Sequence, residues 1–393
     1  MINFVFYAPT KVIFGKDTES QAGAEIKALG YKKALIHYGG ASAMKSGLID
    51  RVVASLDAAG IAHVGLGGVK PNPRLALVRE GIALAKREKV DFLLAVGGGS
   101  VIDSAKAIAY GITNDGDVWD LYLAKKKAVA CAPVGCVLTI AAAGSETSNS
   151  SVITNDDGGH KRSYNDDIAR PKFAIMNPEL TFTLPEYQTM SGAVDILMHT
   201  LERYFTNDKQ VELIDRMSES LMLTVIENAP KLLKNPRDYD ARAEIMWAGS
   251  LSHNGLTGTG RTGDFASHQL EHELSGMFDV AHGAGLSAVW GSWARYVYKH
   301  DIARFAQFAV RVMGVEMNYF NPEETALRGI EKIENFFRSI KMPVSISELG
   351  VKDLTEKQLD EMVEKCSWNG ARQIGQFVKL DRTDMRKIYQ MAK

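Results

Sequence analysis

Strand-like and helix-like patterns of apolar residues alternate through the first half of the chain. Lys33–Tyr38 (KALIHY) is a mostly apolar run closed by Gly39 and Gly40, the pattern of a strand buried on both faces. Over residues 47–59 the apolar side chains of Leu48, Val52, Val53 and Leu56 fall on one helical face. The unit then repeats. Residues 78–89 carry helical periodicity, residues 91–96 read as a second parallel strand, and Gly97-Gly98-Gly99-Ser100 leads into the helical stretch 101–106. Residues 129–132 and 172–176 are further strand candidates. Such alternation predicts a doubly wound, mostly parallel sheet. After Leu184 the texture changes. Helix-period segments cover residues 188–206, 209–233, 241–254 and 302–313, and strand signals almost vanish. The predicted architecture is a doubly wound α/β domain over residues 1–184 followed by an all-α domain over residues 185–393.

Composition narrows the partners. With 46 Lys plus Arg against 47 Asp plus Glu, the formal charge of -1 favours neither nucleic acid nor an anionic membrane. The three cysteines, Cys131, Cys136 and Cys366, form no CxxC pair and are too sparse for a disulfide framework, which suits a reducing, cytoplasmic setting. The first residues lack the basic-then-apolar pattern of a signal peptide, and no apolar run reaches bilayer-spanning length.

Gly97-Gly98-Gly99-Ser100 sits between a hydrophobic strand and a helix. Glycine lets the backbone turn tightly and approach a ligand, while the helix start offers unpaired N–H groups and a positive dipole end to an anion. A lone GGGS lacks the GxGxxG spacing and also serves as a plain strand-to-helix turn. Gly39-Gly40-Ala41-Ser42 strengthens the ligand reading, because it ends the earlier strand where an open sheet places its crevice. Two such strand ends suggest one dinucleotide lying across both. Residues 70–73 (KPNP) form a rigid extended turn that would line the same region. NAD sites often place a carboxylate at the strand end for the ribose 2′-hydroxyl. Here residues 39–42 are neutral and Lys45 follows, an arrangement that favours the 2′-phosphate of NADP(H).

The second half carries a different chemistry. Asp195 and His199 stand four apart, one turn along a helix face. His268, His272 and His282 follow within fifteen residues, so four of the nine histidines fall in these two stretches. One carboxylate with imidazoles suits a borderline divalent ion, Fe²⁺ or Zn²⁺. An isolated Asp-x-x-x-His pair is common on helix surfaces, and His272 is as well placed to support a ligand or line a pocket as to coordinate. Gly276 stands where H-E-x-x-H would need its second histidine, which excludes a zinc-protease motif.

Taken together, these motifs make the sequence resemble the iron-containing (group III) alcohol dehydrogenases over essentially its whole length, and within them the NADPH-dependent butanol dehydrogenase and aldehyde reductase branch. The resemblance runs through residues 4–15, Gly97-Gly98-Gly99-Ser100 with Asp103, Gly144-Ser145-Glu146, Asp195-x-x-x-His199, His268-x-x-x-His272 and His282-Gly283. It implies the dehydroquinate synthase-like fold of that family, with the site in the cleft between its domains. It implies Asp195, His199, His268 and His282 as metal ligands, with His272 left in the pocket. The implied cofactor residues are Gly39, Gly40, Ser42, Asn72, Gly98, Gly99, Ser100, Asp103 and Thr139, with Lys161 near the nicotinamide ribose. His272 and Asp103 are the candidates for catalytic proton handling. The implied activity is hydride transfer between NADP(H) and a short-chain primary alcohol or aldehyde such as butanol or butanal. A homodimer, with the segment 4–14 at its interface, is also implied. One departure stands out. Ala143 occupies the place before Gly-Ser-Glu where the family usually carries a hydroxyl residue.

Trp247, Leu256, Phe265 and Trp290 are candidates for an apolar substrate lining, although aromatic residues on long helices are more often core. Three alternatives remain. A dehydroquinate synthase-like lyase would need several cations for its substrate, and the region around His268 offers Arg261 and few others. A glycerol-type polyol dehydrogenase generally uses one carboxylate and two histidines. A catalytically silent NADP-binding or metal-sensing protein would carry a broken ligand set, and none is broken here.

Overall fold

The structure is a computed structural model that describes all 393 residues, the side chain of Ala41 excepted. Two compact units are formed, one by Tyr7–Leu184 and the other by Met1–Phe6 with Pro185–Lys393. The first six residues therefore belong with the helices and not with the α/β half to which the sequence reading assigned them. Their anchor is the backbone N–H of Ile2, which donates to the Gly260 carbonyl at 3.0 Å.

The α/β unit contains strands β1 (Lys11–Phe14), β2 (Lys33–Tyr38), β3 (Ala62–Leu66), β4 (Phe92–Gly97), β5 (Val134–Leu138), β6 (Ser150–Asn155), β7 (His160–Asn165) and β8 (Phe173–Met176). Its helices are α1 (Ala22–Ala28), α2 (Ala41–Lys45), α3 (Leu48–Ala59), α4 (Leu75–Glu88), α5 (Gly99–Thr113) and α6 (Trp119–Tyr122). Six strands form an all-parallel sheet in the order β1-β8-β5-β4-β2-β3, and β6 and β7 form a separate antiparallel ribbon. Every residue of β4 and β5 is buried, which is why these strands read as continuous apolar runs. Alternate strand residues serve the two faces. Ala34 and Ile36 join Val52 and Leu56 of α3 in one core, whereas His37 turns to Ser104 of α5.

The strand expected at 129–132 is not one. Val129 is 86% exposed, and the chain becomes a strand only at Val134, just past Pro133. The turn at 70–73 is not uniformly extended, since Asn72 adopts the left-handed conformation at φ 53°.

The helical unit comprises α7 (Glu186–Tyr204), α8 (Glu212–Lys234), α9 (Tyr239–His253), α10 (Ala266–Phe278), α11 (His282–Val297), α12 (Ile302–Arg311), α13 (Pro322–Ser339), α14 (Glu356–Cys366) and α15 (Arg382–Ala392). Local sequence sets several boundaries. Asn321 caps α13 with Pro322 at its first position, and capping boxes from Thr355 with Gln358 and Asp381 with Asp384 open α14 and α15. Helix α7 packs against α8, α9 and α11, and α10 packs against α11. Phe205, Trp290, Trp293, Phe305 and Phe308 form an aromatic core. Trp290 is thus core rather than substrate lining, and Trp247 is 40% exposed. No described helix is long and apolar enough to cross a membrane.

Candidate functional site: a glycine crevice and a histidine–carboxylate cluster

In the α/β unit, β2 and β4 are neighbours, yet the chain reaches β3 on one side of β2 before returning to begin β4 on the other. This reversal is the topological switch point of an open sheet, where the carboxyl ends of strands leave a crevice for a ligand. Gly39, Gly40 and Ser42 follow β2, Gly98, Gly99 and Ser100 follow β4 at the start of α5, and Thr139 follows β5. The two glycine turns are not equivalent. A Cβ at Gly97 would strike Val101 at 2.4 Å, so packing alone accounts for that glycine. A Cβ at Gly40 would meet nothing within 4 Å, which leaves open space above that turn. Asn72 is buried, and its carbonyl accepts from Arg74.

The roof over the second turn is pinned from below. Asp103 of α5 accepts from Ser145 Oγ at 2.5 Å and from the Val152 N–H at 3.0 Å. Lys106, one turn on and fully buried, donates to the carbonyls of Ser145, Ser148 and Ser150 at 2.7, 2.9 and 2.8 Å. Burial pushes the Asp103 carboxyl above its ordinary range, while Lys106 beside it pulls the other way. Burial likewise lowers Lys106 to about 8, against the attraction of Asp103. Both oxygens of Asp103 therefore serve the loop 145–152. Lys161, on β7, is buried as well. Ala143 lies against the second turn, 3.2 Å from where a Gly99 Cβ would sit.

In the helical unit, α7 presents Asp195 and His199 on one face, as the spacing predicts. His199 Nδ1 lies 3.2 Å from Asp195 Oδ1, and the Nε2 atoms of His268 and His282 each lie 3.8 Å from the same oxygen. One ligand atom each from Asp195, His268 and His282 falls within a mutual 4.8 Å. Asp195 is 3% exposed, His199 5% and His268 6%. Despite their burial, Asp195 Oδ1, His199 Nδ1 and His268 Nε2 make no hydrogen bond. Orphaned buried polar atoms of this kind are costly unless a further partner satisfies them, and a divalent cation is the partner this donor set fits.

The electrostatics follow. Burial pushes His199 well below the usual histidine range, and His253, His268 and Arg203 push it further. Burial also opposes charge on His268, but the Asp195 and Glu202 carboxylates outweigh it and raise that ring to about 9.

His272 is half-buried, its ring 5.8 Å from that of His282. It can be grouped with Glu271 and His282 as a second donor set. That set is the weaker one. Glu271 already accepts from Ser275 Oγ and from His282 Nδ1. Phe265, in the left-handed region at φ 60°, lies 5.7 Å from the His268 ring with the Arg203 guanidinium over it.

Two residues that sequence reasoning passed over stand behind the histidines. Glu202 Oε1 accepts from His268 Nδ1 at 2.8 Å and from the His268 N–H at 2.9 Å, while Glu271 takes His282. The signal for Glu202 was present, because it lies seven residues past Asp195, two turns along the same helix face.

Residues 9–178 match the sequence family described as iron-containing alcohol dehydrogenase, and residues 189–393 match the C-terminal family of Fe-containing alcohol dehydrogenases. This chain belongs to the iron-containing alcohol dehydrogenase family. Among its relatives in that family is the probable NADH-dependent butanol dehydrogenase 1 of Bacillus subtilis, 41% identical over 388 residues and covering 99% of each chain. The NADPH-dependent aldehyde reductase YqhD of Escherichia coli is 35% identical over 398 residues, the full length of both. The crystal structure of NADH-dependent butanol dehydrogenase A from Thermotoga maritima superposes with a TM-score of 0.95 at 40% identity, covering 100% of this chain and 99% of that one. An α/β parallel-sheet domain with a helical C-terminal domain is thus the fold of this alcohol dehydrogenase family, as the sequence patterns predict.

Proposed function

We propose that this protein is a metal-dependent, NADP(H)-linked alcohol dehydrogenase or aldehyde reductase acting on short-chain primary alcohols or aldehydes such as butanol and butanal. The observation that carries the reading is the convergence of Asp195 Oδ1, His268 Nε2 and His282 Nε2, with His199 against the same carboxylate. A divalent ion, Fe²⁺ or Zn²⁺, held by these four residues would supply Lewis-acid polarisation of a substrate oxygen.

The chain's own residues supply the rest. Asp195 contributes the one negative charge of the four-residue ligand set, which would leave a dication held there with net positive charge. His272, half-buried beside His282, would pass the proton in this reading. In the α/β unit, the N–H groups at the start of α5 suit a pyrophosphate. Asp103 acts there through Ser145, holding the loop above the glycine turn. NADP(H) is supported by the absence of any carboxylate from Tyr38 to Gly47 and by the exposed Ser42 and Lys45 that follow β2.

Against a lyase with a phosphorylated substrate stands Arg261, whose guanidinium is spent on Asp215 at 2.7 Å and on the Val211 carbonyl at 3.2 Å. The exposed apolar residues Phe4, Val5, Phe6 and Tyr7 suit a homodimer, which a solution mass measurement would test. Three free cysteines suit the cytoplasm.

The deciding experiment follows nicotinamide absorbance with butanal on metal-stripped protein reloaded separately with Fe²⁺ or Zn²⁺, using NADPH and then NADH. Metal-restored oxidation that prefers NADPH is the expected result. Preference for NADH, the cofactor named for the Bacillus and Thermotoga relatives, would overturn the cofactor reading alone. No turnover with any metal or simple aldehyde would overturn the substrate and metal readings together.

A further inference from the structure

We infer that Glu202 and Glu271 are paired positioning residues of the metal centre, each gripping one histidine by Nδ1 so that its Nε2 lone pair faces Asp195. The inference rests on the metal reading above and goes beyond it to the residues that set affinity.

The argument begins with hydrogen-bond roles. A carboxylate can only accept, so the Nδ1 atoms of His268 and His282 carry the hydrogens of their bonds to Glu202 and Glu271. A neutral ring with hydrogen on Nδ1 has its lone pair on Nε2. Both Nε2 atoms lie 3.8 Å from one oxygen of Asp195. Each grip thus selects the tautomer and the ring direction that coordination needs, and a charged acceptor behind the ring makes Nε2 a stronger donor.

The grips link three helices. Glu202 on α7 holds His268 on α10, and Glu271 on α10 holds His282 on α11. Neither carboxylate is free to swing. Glu202 also receives the His268 N–H, and Glu271 also receives Ser275 Oγ from one turn along α10. Burial completes the case. Asp195, Glu202 and Glu271 are 3%, 2% and 0% exposed, a concentration of carboxylates that a protein seldom buries without a cation to share.

The test uses the full-length protein stripped of metal, with Co²⁺ affinity measured by chelator competition. The variants are Glu202→Gln, Glu271→Gln, Ser275→Ala and, as a reference, His268→Ala. An amide keeps the shape but can present N–H to Nδ1 and so admits the wrong tautomer. Affinity should fall by about 10- to 100-fold in each Gln variant and by less in Ser275→Ala. Nitrogen NMR of the histidine side chains should show the tautomer population changing with it, a signature that mere loosening of the fold would not give. If Glu271→Gln fails to fold, Glu202→Gln and Ser275→Ala carry the test. Folded variants with native Co²⁺ affinity and unchanged tautomers, while His268→Ala loses the ion, would overturn the positioning role and leave the metal centre standing. Native affinity in His268→Ala would instead remove the metal centre and this inference with it.

Discussion

Helix α11 begins at His282, and its second residue, Gly283, meets α7 backbone to backbone. A Cβ built on Gly283 would sit 1.9 Å from the carbonyl oxygen of Ser191 and 2.8 Å from its carbon. Restoring ordinary contact at about 3.4 Å requires the two helices to part by about 1.5 Å, because neither atom belongs to a side chain that can rotate away. That movement falls between His282, the residue just before, and Asp195, one turn after Ser191. Metal sites tolerate ligand displacements of only about 0.2 Å. Gly283→Ala is therefore expected to cost about 1–3 kcal/mol of stability through overpacking and to weaken metal binding by at least about 100-fold. The assay is metal content per chain after dialysis against a chelator of known affinity, with Co²⁺ competition for the constant and thermal melts of the metal-free protein as a folding check. Gly291→Ala on the same helix is the control. Its Cβ would also meet a neighbour at 1.9 Å, but that neighbour is Glu334 Oε1, a side-chain end rather than backbone. It should disturb the Glu334–Arg295 ion pair and leave metal affinity intact. Native affinity in Gly283→Ala, or equal loss in Gly291→Ala, would refute the idea that this backbone contact sets the spacing of the ligands.

Three further outcomes are expected. His37, held neutral by burial with its pKa lowered from 6.5 to about 4, stabilises the α/β unit less as pH falls through that window, since only the unfolded chain takes up the proton there. Urea titrations should show a loss of up to about 3 kcal/mol that His37→Gln flattens, and parallel curves for the two proteins would count against it. Lys106→Met strands the buried Ser145 and Ser148 carbonyls at about 1 kcal/mol or more each and the half-buried Ser150 carbonyl at less, so stability should drop by at least about 2 kcal/mol. The KM for cofactor should rise more than kcat falls, and an unchanged cofactor KM would rule out a role for the pinned loop in binding. Free metal at 100 times its dissociation constant adds about 2.7 kcal/mol, so the melting temperature should rise by roughly 5–10 °C over chelated protein, and superimposable melts would sink the metal reading.

The sequence made the central strands of the sheet legible because burial on both faces leaves uninterrupted apolar runs, as in β2 and β4. Edge strand β3 was lost to that test, with Ala62 and Gly65 exposed and Leu66 alone buried. The ribbon β6–β7 is polar enough to pass for loop. The first turn of α11 hid for another reason. Gly283 and Gly285 lower helix propensity there, yet they stand against Ser191 and Glu271, where a larger residue would not fit. The site was read from ligand spacing, which exposes Asp195 and His199 on one helix and the later histidines as a cluster. Glu202 and Glu271 escaped because a carboxylate gripping a histidine leaves no spacing of its own. Only tertiary packing brings Glu202 to a ring sixty-six positions away.

The placement of Met1–Phe6 has a bearing on how the molecule is made. These six residues precede the α/β unit along the chain, yet the unit they join resumes only at Pro185, and the Gly260 carbonyl that receives the Ile2 N–H is made later still. The α/β unit between them is a continuous stretch that can mature on its own as it leaves the ribosome. The helical unit is discontinuous in sequence, so its first segment has no Gly260 carbonyl to join until the chain has been made past that residue. Slow joining of Met1–Phe6 to the segment around Gly260 is the kinetic signature to look for in refolding, and removing residues 1–6 should abolish that phase while weakening the helical unit.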